Sequence, residues 1–202
     1  MTKLLLATNN PGKAREYKSL FHDLPYEVVT LAEQGIDIEV DEVGGSLEEN
    51  ARLKATALVA RSQILTLADD SGLEVDALGG EPGPLSHRYA GEGASDADRV
   101  NYLLTRLIDV PREERTARFR CVIALALPNG DVEFCHGECP GIITLEPCGE
   151  QGFGYDPIFF VPELGKTMAE LSLAEKNRVS HRGKAAREAY RVLVRLKDTL
   201  RD

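Results

Sequence analysis

Two consecutive carboxylates, Asp69 and Asp70, close the apolar run Ile64-Leu65-Thr66-Leu67-Ala68 and precede Ser71-Gly72-Leu73. Such a run reads as a buried strand, and ligands of open α/β sheets bind just outside the carboxyl ends of strands. Carboxylates placed there commonly hold Mg²⁺, with substrate phosphate completing the coordination shell. The plainer alternative is a strand ending in an acidic turn, because Asp-Ser-Gly is good turn chemistry. Asp41 and Glu42, just before Gly44-Gly45, offer a second carboxylate to the same metal, or else a solvated acidic loop.

Three further segments carry chemistry. Thr8-Asn9-Asn10-Pro11-Gly12-Lys13 reads as the end of a strand, a tight turn and the start of a helix. Free N–H groups and a partial positive charge at a helix N-terminus suit phosphate. Thr8 and Asn10 add hydrogen bonds, Gly12 allows close approach and Lys13 brings a full charge. It is not a Walker A loop, since the glycine that motif needs falls on Ala7. An ordinary capped helix explains the segment equally well. Glu175 to Lys184 holds five Lys, Arg or His residues in ten, including Lys176, His181 and Arg182. It reads as a polyphosphate grip or as a solvated basic turn. Gly152-Phe153-Gly154-Tyr155-Asp156-Pro157 lets backbone approach a flat ligand while a ring stacks on it, or simply closes a core. Cys135-His136-Gly137-Glu138 imitates a zinc deaminase, but the matching Pro-Cys-x-x-Cys fails because Gln151 follows Pro147-Cys148.

The elements that must position these residues are legible. Strands are predicted at Leu4 to Ala7, Tyr26 to Thr30 and 64–69, with a half-exposed extended segment through Ile36, Ile38 and Val40. Asn10 and Pro11 start a first helix. Ser46-Leu47-Glu48-Glu49 is a capping box for a second, running to about Arg61. Ser95-Asp96-Ala97-Asp98 starts a third, with Val100, Leu103, Leu104 and Leu107 inward. Gly79 to Pro84 reads as a loop without regular structure. Phe119 to Leu127 and Val132 to His136 form a hairpin across Pro128-Asn129-Gly130-Asp131, Ile142 to Leu145 adds a strand, and Ile158 to Val161 is an apolar segment. A last helix runs from near Arg182 to about Leu200, with Ala186, Ala189, Tyr190, Leu193, Leu196 and Leu200 as its stripe. The hairpin excludes an all-parallel sheet, so the expectation is an α/β fold with a partly antiparallel sheet.

The 202 residues suffice for one large domain or two small lobes. Hydrophobic and charged shares of 43% and 28% are ordinary for a globular protein. A net charge of -9 argues against a nucleic-acid partner. No run reaches the ~18 apolar residues of a membrane span, and the N-terminal apolar stretch is too short for a signal-peptide core. The four cysteines are read as packing thiols of a reduced, cytoplasmic protein.

Taken in order, Thr8 to Lys13, Glu48-Glu49-Asn50-Ala51, Ala68 to Leu73, Pro82-Gly83 through Arg88-Tyr89-Ala90-Gly91, Gly152 to Phe159 and Ser180-His181-Arg182-Gly183 resemble the inosine triphosphate pyrophosphatase family (XTP/dITP diphosphatases). The motifs run from residue 8 to residue 183, nearly the whole chain. The resemblance implies one two-lobed domain over residues 1–202, with a long curved mixed sheet, helices on both sides and a central cleft. It implies a homodimer that uses Mg²⁺ to hydrolyse ITP, dITP, XTP or dXTP to the monophosphate and pyrophosphate, removing deaminated purines from the nucleotide pool. By the family pattern Asp70 is general base and metal ligand, with Glu42 favoured over Asp41 as the second ligand. Ser71 contacts substrate; Thr8, Asn10, Lys13 and Lys176 hold the phosphates, within the turn that includes Asn9, Pro11 and Gly12. Phe153, Gly154, Tyr155, Asp156, His181 and Arg182 form the purine pocket, with Arg88 close by. Asn9 departs from the smaller residue of some relatives. Cleavage of other modified nucleotides, or nucleotide sensing without turnover, are the rival readings.

Overall fold

A computed structural model describes residues 2–38 and 40–199. Among them are eight strands and five α-helices: β1 (Thr2–Leu6), α1 (Pro11–Leu20), β2 (Tyr26–Thr30), α2 (Leu47–Ser62), β3 (Leu65–Val75), β4 (Pro82–Gly83), α3 (Asp96–Arg106), β5 (Thr116–Ala126), β6 (Val132–Ile143), β7 (Phe159–Val161), β8 (Lys166–Thr167), α4 (Leu173–Val179) and α5 (His181–Thr199). The strands make one mixed sheet in the order β2-β1-β3-β5-β6-β7-β8, with β4 on β3. The mixed α/β expectation therefore holds. No helix among the described residues is long and apolar enough to cross a membrane.

The chain divides into two compact units: Met1–Asp70 with Cys121–Gly137 and Arg182–Asp202, and Ser71–Arg120 with Glu138–His181. In the first unit β1 pairs in parallel with both β2 and β3. Parallel neighbours need crossover connections, which α1 and α2 provide. The two-residue period of a strand then sorts the apolar side chains. Leu4, Leu6, Leu65, Leu67, Cys121, Ile123 and Leu125 join Tyr17 and Phe21 of α1 and Ala185, Ala186, Ala189 and Leu193 of α5 in one core. Leu5, Ala68, Val122, Ala124 and Ala126 join Leu47, Ala51, Ala55, Leu58 and Val59 of α2 in another. Helices thus cover both faces of these strands. Each large aliphatic side chain so buried contributes about 1.5–3 kcal/mol.

The second unit has its own core, in which Leu73, Val75, Val100, Leu103, Leu107, Phe119, Ile143, Tyr155, Ile158 and Phe159 meet. Its pairings are antiparallel: β3 with β4, β6 with β7 and β7 with β8.

Several sequence expectations are corrected. The acid-tipped strand does not end at residue 69; β3 runs through Asp69-Asp70-Ser71-Gly72 to Val75. The turn-prone Asp-Ser-Gly is held extended because β4 pairs with Leu73 and Glu74 and Leu73 N–H donates to Ser86 Oγ at 2.9 Å. Gly72 is required there, since a Cβ would lie 2.3 Å from the Gly83 carbonyl oxygen. The loop expected over Gly79 to Pro84 contains β4. The two strands expected on either side of residue 139 are one, β6. Ser46 caps α2 through Glu49 N–H at 3.2 Å, but the Glu49 carboxylate returns to Gly45 N–H instead of closing the box on Ser46. Ile36, Ile38 and Val40 lie against the α2-side core without entering the sheet. Helix α4 was not anticipated. Leu200, expected on the α5 stripe, lies outside the described residues.

The thiols divide by burial. Cys121, Cys135 and Cys139 are buried and Cys148 is exposed, and burial pushes the Cys121 and Cys135 thiols up to about 12. Iodoacetamide at pH 8 is therefore expected to label Cys148 alone in the folded protein and all four after denaturation, read by peptide mass spectrometry. Labelling of Cys121 at the rate of Cys148 would contradict this packing.

Candidate active site

The site follows from where β1 stops. Its last parallel partnership is Leu6 with Leu67, and Ala7 N–H donates to the Leu67 carbonyl at 2.8 Å. Beyond that point β1 gives way to the Thr8–Lys13 turn, while β3 continues into Asp69 and Asp70. The chain leaves β1 for β2 by a helix on one face and returns to β3 by a helix on the other. The pair β1/β3 is therefore a topological switch point, where open α/β sheets bind ligands. The acids sit beyond the carboxyl end of the parallel strands, in mid-strand of β3.

Alternation turns the consecutive acids in opposite directions. Asp69 shares its face with Leu65 and Leu67, and so meets α1 and α5. Its Oδ1 is 3.1 Å from Lys13 Nζ. Its Oδ2 accepts from Arg182 Nε and Nη2, each at 3.3 Å, and from Cys121 Sγ at 3.8 Å. Arg182 also donates to Glu16 Oε2 at 2.8 Å. Asp69 and Glu16 are each 2% exposed and Arg182 1%. Burial alone would raise the Asp69 carboxyl, but Lys13, Arg182 and Lys54 together hold it well below the usual carboxylate range.

Asp70 shares its face with Ala68 and meets α2. Asn50 Nδ2 donates to Asp70 Oδ2 at 3.0 Å, while Asn50 Oδ1 accepts from Gly44 N–H at 2.8 Å. Those two partners fix which way the Asn50 amide points. Lys54 Nζ is 3.4 Å from Asp70 Oδ1, 2.8 Å from Glu42 Oε1 and 2.6 Å from the Asp69 carbonyl. Burial raises the Asp70 carboxyl; Lys54 and Lys13 oppose it, and Glu42 adds to it. The two adjacent carboxyls are therefore shifted in opposite directions, Asp69 down and Asp70 up. Such a split marks acid–base assignments in enzymes.

Around the first turn of α1, Thr8 and Asn10 serve the backbone. Thr8 Oγ1 accepts from Asn10 N–H at 3.1 Å and Asn10 Oδ1 caps Lys13 N–H at 3.0 Å. Pro11 opens the helix, Gly12 is half-buried and Asn9 is exposed.

The second unit assembles a different constellation. Asp156 Oδ2 accepts from Phe153 N–H at 2.8 Å and pairs with the buried Lys176 ammonium. That ammonium also lies over the Phe153 ring, 4.6 Å from its centroid. A Cβ on Gly152 would collide with Asp156 Oδ2 at 2.1 Å. Tyr155 Oη donates to the Ser86 carbonyl at 2.9 Å. His181 stacks on Phe119, with centroids 4.6 Å apart and planes at 14°. Ser71 is half-buried on β3 and Arg88 is exposed on the short 3-10 turn Ser86–Arg88.

The sequence reading grouped Lys176 with the phosphate-binding residues; the structure places it on the Phe153 face. The same reading grouped Arg182 with the purine contacts; its guanidinium is placed on Glu16 and Asp69. Glu42, not the exposed Asp41, reaches the cation beside Asp70. Lys54, Asn50 and Glu16 had been given no role. Their signal was polar residues on a helix face that packing makes apolar: Asn50 and Lys54 are four residues apart on α2 beside Ala51 and Ala55, and Glu16 precedes Tyr17 on α1.

An open mixed α/β sheet with paired carboxylates and lysines at its switch point defines the class: a site for an anionic ligand together with a cation. The chain belongs to the Ham1 family, whose model matches residues 4–192. It is 50% identical over 194 residues to a protein of Desulforamulus reducens named dITP/XTP pyrophosphatase, covering 96% of each chain. It is 45% identical over 193 residues to the Bacillus subtilis protein of the same name, covering 96% of this chain and 98% of that one. The solved Ham1 protein of Staphylococcus aureus superposes with a TM-score of 0.84 at 43% identity, over 95% of this chain and 98% of its own. That of Coxiella burnetii gives 0.87 at 41%, over 96% and 100%.

Proposed function

We propose that this chain hydrolyses non-standard purine nucleoside triphosphates, dITP and XTP with their ribo and deoxy counterparts, to the monophosphate and pyrophosphate. The names of the two relatives support the substrate class. The observation that carries the chemistry is the cation position shared by Asp70 and Glu42.

That position is filled by the Lys54 ammonium, which touches both carboxylates. The donor set fits a divalent ion, because Mg²⁺ takes one or two carboxylates and leaves its remaining positions to phosphate and water. Asp70 and Glu42 would hold it. Once bound, Mg²⁺ supplies charge neutralisation at the phosphate oxygens.

The chain's own groups do the rest. Asp70 accepts the proton of the water that attacks the α-phosphorus; the new P–O bond forms as the bond to pyrophosphate breaks. Asn50 holds the Asp70 carboxylate in place for that transfer. Lys13 faces the phosphates. An ammonium carries three donors, so one can remain on Asp69, whose charge Arg182 also balances. Thr8 and Asn10 shape the turn that brings Lys13 there, and Ser71 follows Asp70 as a substrate contact.

Phe153 offers its ring to the base, and Lys176 presents a donor beside that ring. Hypoxanthine and xanthine carry a 6-oxo acceptor for it, whereas adenine places an amino donor against an ammonium. Buried groups left unpaired in this way discriminate strongly. Asp156 and His181 fix the positions of Lys176 and Phe119. A homodimer in the cytoplasm belongs to the same reading, carried by the family resemblance.

The test is pyrophosphate release from dITP, XTP, dATP and GTP, with Mg²⁺ and with EDTA. Release is expected to be fast and Mg²⁺-dependent for dITP and XTP, slow for dATP by the 6-oxo contact, and slow for GTP, which shares the 6-oxo group, by crowding or a missing acceptor at its 2-amino group. Equal rates on all four would overturn the purine assignment. Tight binding of dITP without release would favour a sensor, and preference for modified pyrimidine triphosphates would move the protein to the other rival class.

A further inference from the structure

We propose that Asp96 is a positioning residue for base recognition, setting the loop that carries Phe153 through a link from the start of α3. The inference rests on the reading of Phe153 and Lys176 as the base site and deepens it.

The far end of the loop is anchored in the core by Tyr155 and Ile158; its near end, Gly152 to Gly154, carries no such anchor. Gly152 and Gly154 both adopt left-handed backbone, with φ of +78° and +62°, and no atom lies within 4 Å of where a Cβ on Gly154 would stand. Two consecutive N–H groups tie this near end down. Phe153 N–H donates to Asp156, three residues on. Gly154 N–H donates to Asp96 Oδ2 at 2.7 Å, across 58 residues of sequence. Phe153 is therefore fixed on one side by a carboxylate of its own loop and on the other by one from a distant helix.

Asp96 is not consumed by its helix. The cap of α3 is made by Ser95 and Asp98, whose side chains satisfy each other's backbone N–H groups at 2.9 and 3.1 Å. The second oxygen of Asp96 pairs with Arg99. Arg99 in turn is tied to the carbonyls of Ala94 and His87, the latter at 3.0 Å. The Arg99 side chain is 11% exposed and that of Asp96 47%. A half-exposed carboxylate that orients one backbone N–H adds little to overall stability. It can still restrict which backbone states the loop samples, and preorganised contacts lower the cost of ordering on binding.

The experiment uses Asp96→Ala, Asp96→Asn and Arg99→Met in the full chain. Calorimetry measures binding of inosine monophosphate and of pyrophosphate separately, alongside steady-state kinetics on dITP and dATP. For Asp96→Ala, inosine monophosphate affinity is expected to fall about tenfold, the order of one charge-assisted hydrogen bond. Pyrophosphate affinity should stay unchanged, KM for dITP should rise with kcat within about twofold, and the preference for dITP over dATP should narrow. Asp96→Asn retains an acceptor for Gly154 N–H and is expected to restore most of the affinity. Arg99→Met should fall between them. Unchanged inosine monophosphate affinity in Asp96→Ala would overturn the proposal, as would an equal loss on both ligands with a lowered Tm. If Asp96→Ala does not fold, no rescue by Asp96→Asn and no effect of Arg99→Met would overturn it as well. Wild-type protein that binds no inosine monophosphate would instead remove the underlying base-site reading.

Discussion

Asp70→Asn is expected to lower the rate of pyrophosphate release from dITP by about 10²–10⁴-fold, the usual contribution of a positioned general base, with the fold intact. The amide has the shape of the carboxylate, and its oxygen can still accept from Asn50 Nδ2. What is lost is the proton acceptor and half of the carboxylate pair around the Lys54 ammonium. That ammonium keeps Glu42 and the Asp69 carbonyl, so no charge is stranded and the melting temperature should move little. The Mg²⁺ concentration needed for half-maximal rate should also rise. Turnover within twofold of wild type at saturating Mg²⁺ would remove Asp70 from both roles.

Arg182→Met should act on stability. It leaves Glu16 and Asp69 buried on the α1/α5 side without the guanidinium that pairs with both. Removing one partner of a buried ion network costs about 3–5 kcal/mol, and in a chain of this size each kcal/mol is worth about 2–4 °C of Tm. A fall of roughly 6–20 °C is therefore expected in thermal unfolding. Combining it with Glu16→Gln should recover part of the loss, because one stranded charge is then gone. The outcome also separates two roles for this arginine. A purine contact would change the ratio of dITP to dATP turnover at nearly constant Tm; a buried counter-ion changes Tm first.

These two predictions rest on what the tertiary structure added. The sequence marked the acid pair, and the segments Thr8–Lys13, 152–157 and 175–184, as places of chemistry. Cap residues such as Asn10, Ser46 and Ser95 act within four residues, so the starts of α1, α2 and α3 were legible from local spacing alone. Apolar runs likewise located β1, β2 and β5, and the Pro128–Asp131 turn established that part of the sheet is antiparallel.

What was not legible depended on partners distant in the chain. Asp-Ser-Gly has the composition of a turn and lies in a strand, because β4 and Ser86 satisfy its neighbourhood. Lys176 and Arg182 were read together as one basic cluster because they are six residues apart. They take opposite employment because Asp156 and Phe153 receive one and Glu16 and Asp69 the other. Asp69 and Asp70 are chemically identical in the sequence, and its motifs named Asp70 only through resemblance. The physical difference between them is that a strand turns consecutive side chains to opposite faces. One acid thereby meets Lys13 and Arg182, which lower its carboxyl; the other meets Asn50 and Lys54, and burial raises its carboxyl against them. Residue types and local spacing are properties of the chain, and they determined a mixed α/β fold and the segments where chemistry could sit. Which charges neutralise which is set by distances across helices and strands that spacing does not encode, and only the packed structure decided it.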